Sequence, residues 1–404
     1  MQASTFRLDH DIDPIAFGAR SGLLWTHGGF TLAGMGEVAR IDPRGAAQVQ
    51  LAELAGRDEV LTAGTGPVAF GALPFDTTAA ATLVVPEIVV GRNIDGRRWI
   101  TVVGDGPVDI AAAVDRVQAV AQRPVPSGPQ PTRYDMISAL TPEQWRDDVL
   151  TVGRNRVRAG ELRKVVLARR VDVRTDHPVD TAIVVERLRQ TFGSAIVFSV
   201  DGFVGASPEL LVSRLGDVVR AHPLAGTAAR SSEPAADARL AAALVASSKD
   251  RWEHRITIDW LLENLLPFCS YVDAEPEPSI VSLANVHHLG TLVEGRLSHP
   301  AASVLELVDA LHPTPAVGGD PQSLAVAMIG ELERTGRGNY AGPTGWVDAA
   351  GNGAFAVGLR SGQFTPDGAT VFAGVGVVAD SDPEAELAET RTKFQAILGA
   401  LLRP

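Results

Sequence analysis

The chain has 404 residues, of which 45% are hydrophobic and 21% are charged. This balance is typical of a globular protein and excludes a disordered or collagen-like chain, and the length allows one large domain or two to three smaller ones. The net charge of −12 argues against a nucleic-acid partner. The single cysteine, Cys269, excludes an internal disulfide and a cysteine-based zinc cluster. The longest apolar stretch, residues 240–246, is far shorter than a membrane helix. We therefore expect a cytoplasmic protein with no membrane partner.

The first third of the chain alternates short apolar runs with glycine-rich turns. The runs predict strands at residues 30–35, 67–75, 81–90 and 99–103, followed by a helix at 108–122. The proline-rich segment 124–133 predicts a linker. We place a boundary there, with residues 1–130 as an N-terminal, strand-rich part and residues 131–404 as the catalytic region of the same fold.

The remaining chain contains clear signals for both helices and strands. Thr141 and Gln144 flank Pro142 in the pattern of a capping box, which predicts a helix that ends near Gly160. A helical stretch is predicted at 235–268, and Asp320 and Asp382, each followed by proline, are predicted to cap two further helices. Strands are predicted at 164–171, 195–200, 210–215, 217–222, 344–347, 354–364 and 370–378. Runs of strands flanked by helices favour an α+β fold with antiparallel sheets.

Four acidic residues form two pairs with helical spacing. Asp250 and Glu253 are three residues apart on one predicted helix, and Glu386 and Glu389 are three apart on another. Residues at this spacing share a helix face, so each pair is either a solvated surface or a set of oxygen ligands. If the two pairs met, they would suit a hard cation such as Mg²⁺.

Several residues in predicted strands could carry chemistry. Lys164 opens an apolar strand, where its amine either reaches solvent or has a lowered pKa. Glu209 begins another strand and is either an acid with a raised pKa or a surface group. Arg360 lies in the predicted strand 354–364, where it needs either a structural salt bridge or an anionic ligand. Gly374 and Gly376 permit either a bulge or a close approach of ligand to backbone.

Nine segments between Lys164 and Phe394 together resemble the chorismate-utilising enzymes, in the order that this family has them. They are KVVLARR, GASPELLVSR, PLAGTAAR, SSKDRWEHR, VHHLGTLVEGRL, LHPTPAVGGDP, ERTGRGNYAGPTGW, AVGLRSGQF and AGVGVVADSDPEAELAETRTKF. The resemblance covers more than half of the chain. It implies two antiparallel β-sheets in a sandwich with flanking helices, and an active site in the cleft.

The resemblance also assigns roles to individual residues. It implies that Lys164 activates a water molecule and that Glu209 is the general acid. It implies a Mg²⁺ cofactor held by Glu253 and Glu389, with Asp250 and Glu386 supporting it through water. The position of Asp250 is often Glu in the family, and the shorter side chain here favours that water-bridged role. The resemblance implies a substrate-binding set of Gly226, Thr227, His288, Ala316, Tyr340, Leu359, Arg360, Gly374, Gly376 and Lys393.

One position separates the members of the family. Ala316 stands where ammonia-using and salicylate synthases usually carry Thr, so LHPTPAVGGDP is most similar to isochorismate synthases. The expected reaction is the Mg²⁺-dependent isomerisation of chorismate to isochorismate, which feeds siderophore or menaquinone synthesis. Tyr340 and Leu359 resemble salicylate synthases more, so formation of salicylate with loss of pyruvate is the alternative. We expect a monomer that needs no glutamine amidotransferase.

Overall fold

The computed structural model describes residues 1–126 and 128–402, and within these ranges the chain forms 24 strands and 11 α-helices. The strands are β1 Gln2–Arg7, β2 Leu23–His27, β3 Phe30–Met35, β4 Ala39–Ile41, β5 Val68–Ala72, β6 Leu83–Val85, β7 Ile88–Arg92, β8 Arg98–Gly104, β9 Tyr134–Ile137, β10 Lys164–Thr175, β11 Ile196–Val200, β12 Phe203–Ser207, β13 Leu210–Leu215, β14 Val218–His222, β15 Leu224–Ala229, β16 Cys269–Ala274, β17 Ser279–Ser282, β18 Val286–Gly290, β19 Val293–Leu297, β20 Gly319–Asp320, β21 Pro343–Asp348, β22 Gly353–Val357, β23 Ser361–Thr365 and β24 Gly368–Val377.

The helices lie between and around these strands. They are α1 Pro14–Ser21, α2 Ala47–Leu54, α3 Ile110–Ala121, α4 Pro142–Trp145, α5 Thr151–Arg158, α6 Thr181–Thr191, α7 Pro234–Ala246, α8 Ser248–Leu265, α9 Val304–Leu311, α10 Gln322–Glu333 and α11 Pro383–Leu402. A π-helical turn at Arg146–Leu150 joins α4 to α5. No helix in the described ranges is both long enough and apolar enough to cross a lipid bilayer.

The strands form three antiparallel sheets. The first sheet has twelve strands in the order β1-β8-β7-β3-β2-β11-β12-β23-β24-β10-β20, with β9 also paired to β10. The second sheet has nine, in the order β16-β19-β14-β13-β22-β21-β5-β6-β4, and a small sheet has the order β15-β18-β17. The two expected sheets are therefore present, and the small third sheet is an addition that the sequence did not predict.

The first and second sheets pack face to face. Trp25 and Leu32 of the first sheet share one buried apolar cluster with Phe70 and Trp346 of the second. The other face of the first sheet is covered by helices α1, α3, α6 and α11, whose apolar side chains form a second cluster. Aromatic side chains bury the largest areas in such a core, so the few aromatic residues of this chain are concentrated where the sheets meet.

Strands from both sides of residue 130 hydrogen-bond within the same sheets. In the first sheet β2 pairs with β11, which places Leu24 opposite Ser199. In the second sheet β5 pairs with β21, which places Ala72 opposite Thr344. The N-terminal strands thus extend the sheets on which the catalytic region is built.

Most predicted elements are present, and the differences have local causes. The capping box is confirmed, since the Thr141 hydroxyl oxygen accepts from Gln144 N–H at 3.2 Å while the Gln144 side chain accepts from Thr141 N–H at 2.9 Å. The predicted strand 81–90 is two strands, β6 and β7. The helical stretch 235–268 breaks at Ser247, whose hydroxyl oxygen accepts from Asp250 N–H and caps α8.

The prediction for Asp320 was wrong. This residue lies in β20 opposite Lys164, and the residue before α10 is Pro321, which offers no side-chain cap. Asp382 does cap α11, because its carboxylate accepts from Glu384 N–H at 3.2 Å. Local sequence alone could not separate the two Asp-Pro pairs, because pairing with β10 competes with helix capping at only one of them.

A buried ion pair ties β10 to the loop before β20. Arg337 donates to Val166 O at 2.7 Å and to Val317 O at 2.9 Å, and it pairs with Glu333 at 3.0 Å. The Glu333 carboxylate also accepts from Ala168 N–H at 2.7 Å. Both charged side chains are buried, so each depends on the other for compensation.

We expect Arg337→Met to lower the free energy of unfolding by roughly 3–5 kcal/mol, because it leaves Glu333 charged, buried and unpaired. Urea denaturation of the purified protein measures this change. The matched control is Arg156→Met, which removes a partly exposed surface arginine paired with Glu161 and Glu331 and should have a much smaller effect. A loss for Arg337→Met no larger than that of the control would contradict this account.

Candidate active site

One cavity lies where the first sheet meets the small sheet and helices α8 and α11. The space inside it that a water molecule can reach is about 90 Å³. Its walls come from β10, β15, β18 and β24, from the segments before β13, β20 and β23, and from the first turns of α8 and α11. Elements far apart in the sequence therefore build a single concave surface, the usual form of a small-molecule site.

The floor of the cavity is formed by β10 and β24. These strands pair over ten residues, which places Gly376 opposite Val166 and Gly374 opposite Ala168. An added Cβ at Gly376 would collide with Glu253 Oε1, so a larger residue there would force this carboxylate to move. The group that approaches Gly376 in this structure is a side chain of α8. Close approach of a ligand to the two glycines stays a prediction.

The Lys164 side chain lies beside Gly376, on the same side of the sheet as Glu253. Its side chain is fully buried (0% exposed), and its Nζ lies 2.8 Å from Glu253 Oε1. Apart from this ion pair, Lys164 Nζ has no hydrogen-bond partner in the described residues. A buried amine in this position can exchange a proton with a ligand above Gly376.

The two acidic pairs meet in the cavity. Capping by Ser247 sets the start of α8 so that Asp250 and Glu253 face the cavity, and capping at the start of α11 does the same for Glu386 and Glu389. The helical spacing predicted that the members of each pair share a face, and the structure adds that all four carboxylates line one cavity.

Each carboxylate in this group has a polar neighbour of its own. Glu389 lies 2.6 Å from Lys393 Nζ, and Glu386 lies 3.3 Å from Lys249 Nζ. Asp250 accepts a short hydrogen bond from the Ser247 hydroxyl. The carboxylates are therefore held apart by basic and hydroxyl groups, which limits their mutual repulsion.

The remaining repulsion is visible in the pKa values. Burial, together with the charge of Glu389, raises the pKa of Glu386 to about 7. Burial and then Glu253 raise the pKa of Asp250, although the Ser247 hydroxyl acts in the opposite direction. A group of carboxylates that resists full ionisation gains stability when a cation enters.

The donor set fits a hard divalent cation. It consists of carboxylate oxygens, which Mg²⁺ prefers, and Gly376 leaves the space that Glu253 occupies. In the described residues, however, no three acidic, histidine or cysteine side chains are already gathered closely enough to hold an ion. Because the carboxylates are turned towards lysines, small side-chain rotations would be needed for metal binding.

Glu209 enters the cavity from the turn between β12 and β13. The Ser207 hydroxyl oxygen accepts from Glu209 N–H at 3.2 Å, and Glu209 O accepts from Val357 N–H at 3.1 Å. These bonds fix the backbone, and the side chain is almost fully buried (2% exposed). Burial raises the pKa of Glu209 to about 8, despite the opposing charges of Lys164 and Lys393. The carboxyl group is therefore protonated near neutral pH and can act as an acid.

Arg360 presents an unpaired guanidinium to the same cavity. The predicted strand 354–364 is interrupted just before this residue, and Arg360 has a left-handed backbone with φ of 50°. No carboxylate forms an ion pair with it in the described ranges, and its Nε is buried without a partner. Of the two alternatives for Arg360, a structural salt bridge is absent from the described ranges, and the strained backbone turns the cation towards the cavity.

His288 supports Arg360 from the small sheet. Its Nδ1 lies 3.1 Å from Gly226 O and 3.1 Å from the Thr227 hydroxyl, which leaves Nε2 to accept from Arg360 at 3.3 Å. Burial and the charge of Arg360 lower the pKa of His288 well below its usual range, so the ring is neutral. The neighbouring His287 points the other way and pairs with Asp237 at 3.0 Å, as expected for adjacent residues of a strand.

Two more polar groups face the cavity beside Arg360. The Tyr340 ring stacks on Phe372 with centroids 5.1 Å apart, which holds its hydroxyl near Gly374. Lys393 donates to Gly374 O at 2.9 Å while it pairs with Glu389. Together with Arg360, these groups form the side of the cavity that suits an anion.

The predicted residues converge closely. Every residue predicted for the site lines the cavity except Lys164, which contacts it through Glu253. The sequence analysis assigned no role to Lys249 or Arg337, which also line it. Both lie inside motifs that were recognised, and a basic residue directly before Asp250 was the available signal for Lys249.

Comparison with known proteins agrees with this geometry. Residues 18–402 match the family described as chorismate binding enzyme. The chain belongs to this chorismate binding enzyme family.

Relatives of this family member cover most of its length. The chain is 38% identical over 359 residues to a putative isochorismate synthase MenF of Mycobacterium tuberculosis. That alignment covers 84% of this chain and 88% of the relative. The chain is also 35% identical over 384 residues to the isochorismate synthase DhbC of Bacillus subtilis. That alignment covers 90% of this chain and 89% of the relative.

A solved structure of a similar protein has the same fold as this chain. It is the crystal structure of a putative 2,3-dihydroxybenzoate-specific isochorismate synthase, DhbC from Bacillus anthracis. Its sequence is 30% identical to this chain, and the two structures superpose with a TM-score of 0.79. The match covers 95% of this chain and 96% of the other. The expected fold class is therefore confirmed.

The raised pKa of Glu209 predicts a specific pH dependence of stability. The folded protein keeps a proton up to about pH 8 that the unfolded chain releases near its ordinary value of 4.5. Relative to Glu209→Gln, the unfolding free energy of the wild-type protein should fall as pH rises through this window, by up to about 1.4 kcal/mol per pH unit. Urea denaturation of both proteins across the window measures this. Parallel pH profiles would show that Glu209 titrates normally.

Proposed function

We propose that this protein is an isochorismate synthase that isomerises chorismate to isochorismate with Mg²⁺. The product would enter siderophore or menaquinone synthesis. The observation that carries the proposal is the cavity that combines a protonated carboxyl group, Glu209, with a buried amine, Lys164, across a glycine floor. The names of relatives with high coverage support the same reaction.

The charges of the cavity suit a dianionic substrate together with a divalent cation. Apart from the protonated Glu209 and from Arg337, which is paired with Glu333, four carboxylates face four basic groups there, three lysines and Arg360. Chorismate brings two negative charges and Mg²⁺ two positive ones, so binding both leaves this balance unchanged. Arg360 is the natural partner for one carboxylate, because it is buried, aimed into the cavity and has no protein carboxylate of its own.

The substrate would lie between the anion side and the acidic helices. Arg360 and Tyr340 hold the pyruvyl carboxylate, and Gly226, Thr227, Gly374 and Gly376 let the ring approach the backbone. Glu253 and Glu389 would hold Mg²⁺, with Asp250 and Glu386 assisting through water. The ion would orient the substrate and neutralise its second carboxylate.

Two proton transfers then complete the reaction. Water attacks C2 of the ring while Lys164, which must be neutral for this step, accepts a proton from it. The ring double bonds shift, and the C4 hydroxyl leaves as water after Glu209 donates its proton. Lys164 and Glu209 return to their starting states by exchange with solvent, so the reaction consumes no external reagent.

Ala316 supports water as the nucleophile. It lies in the loop between α9 and β20, which is held by two hydrogen bonds to Thr314 O, and it lines the cavity. Its methyl group leaves space for water and offers no hydroxyl to position an amine. This is the specific feature that favours isochorismate over anthranilate or salicylate as the product.

A product assay tests the proposal directly. The purified protein is incubated with chorismate and Mg²⁺ near neutral pH, and the mixture is separated by chromatography over time. We expect isochorismate as the main product in a reversible mixture with chorismate, and no anthranilate when ammonium salts are added. Salicylate and pyruvate appearing in equal amounts from the earliest times, with no isochorismate peak, would replace this proposal with the salicylate alternative.

Variants of the two proton-transfer residues test the mechanism. We expect Lys164→Ala and Glu209→Gln each to lower kcat by at least about 100-fold, the low end for loss of a general acid or base. Steady-state kinetics with saturating Mg²⁺ measure this. A change confined to KM would move the residue from a catalytic to a binding role.

A further inference from the structure

Lys249 lies beside the acidic group but differs from the other two lysines there. Lys164 is fully buried, and Lys393 has a second contact to Gly374 O. Lys249 is partly exposed (41%), and its ion pair with Glu386 is its only hydrogen bond in the described ranges. It is therefore the least restrained of the three basic groups.

Lys249 also borders a second groove, which its ammonium group could occupy. This separate, open groove of about 710 Å³ is also lined by Trp252, Glu161 and Asp380. Lys249 thus forms part of the wall between the cavity and this groove. A rotation of its flexible side chain would move the ammonium from Glu386 into the groove without any movement of the backbone.

The ammonium and a divalent cation need the same carboxylates. Lys249 Nζ lies 3.3 Å from Glu386 Oε1, so the ammonium is paired with one of the carboxylates proposed to assist the metal. A charge of +1 on Lys249 repels a charge of +2 on a bound ion, and both compete for Glu386.

We propose that Lys249 is the internal counter-ion of the metal-free site, which holds Glu386 until a divalent cation displaces the ammonium towards the groove. This inference rests on the proposed metal site. In the metal-free protein, the ion pair limits repulsion among the carboxylates. When the ion binds, breaking that pair costs part of the binding energy, so Lys249 weakens the affinity for the metal.

The test measures metal binding in the absence of chorismate. Mn²⁺, which prefers similar oxygen ligands, is titrated into the full-length protein at fixed ionic strength, and free Mn²⁺ is followed by electron paramagnetic resonance. We expect Lys249→Met, which keeps the apolar part of the side chain, to lower the Kd for Mn²⁺ by about three- to ten-fold through loss of the nearby positive charge. Lys249→Gln should change it in the same direction, and Lys249→Arg should stay close to wild type.

A matched control separates local from overall charge. Arg251 lies two residues further along α8, is 45% exposed and pairs with Glu277 outside the cavity. Arg251→Met removes the same charge from the same helix and should leave the Kd for Mn²⁺ within two-fold, on the order of the noise in such titrations. Glu253→Gln should abolish tight binding, which shows that the ion occupies the acidic group.

The outcomes separate this inference from the proposed function. An unchanged or higher Kd in Lys249→Met and Lys249→Gln, or an equal decrease in Arg251→Met, would overturn the counter-ion role. Such a result would leave the chorismate product assay untouched, since that assay uses the wild-type protein. Conversely, a lower Kd in the Lys249 variants would support the inference even if chorismate were not the substrate.

A second measurement follows the ammonium itself. Mass spectrometry can compare how fast an amine-acylating reagent modifies Lys249 in wild-type protein with and without Mn²⁺. Displacement into the groove predicts faster modification when Mn²⁺ is bound, with the rate at other exposed amines unchanged. Equal or slower modification of Lys249 would contradict the displacement.

Discussion

The need to keep four carboxylates together in a buried space governs the rest of this cavity. Unpaired, such a group would cost several kcal/mol per charge. The chain meets this cost with lysines from three different elements: β10, the start of α8 and α11. Each lysine forms an ion pair with one carboxylate, so the negative charges are compensated by separate ion pairs. The same arrangement makes the group ready to accept a cation, because every ion pair can be exchanged for a metal ligand.

Glycine and strained backbone supply the space that these charges require. Gly376 makes room for Glu253 above the sheet, and the left-handed backbone at Arg360 points its guanidinium across the cavity. Neither feature adds to the packing of the core. Both features place a charged group close to the position of a small bound anion. At these two positions the placement of charge therefore outweighs the larger side chain or the unstrained backbone that stability alone would favour.

Local patterns in the sequence predicted much of the fold and the membership of the cavity. The spacing of Asp250 and Glu253 was sufficient, because helical geometry alone puts them on one face. The break at Ser247 and the β-pairing of Asp320 were not predictable, since both depend on contacts with distant segments. The role of Lys249 was hidden for the same reason: its partner, Glu386, is more than a hundred residues away, and no periodicity links the two.

The mixed pairing of early and late strands constrains how the chain can be made. As it emerges during synthesis, β2 has an open edge until β11 appears, and β5 has one until β21 is complete. Until those partners are made, the edges are unpaired and flanked by apolar side chains, a condition that favours association between nascent chains. The N-terminal third therefore depends on completion of the later strands. A chain that ended before residue 343 would lack β21, so β5 would have no partner on that edge of the second sheet.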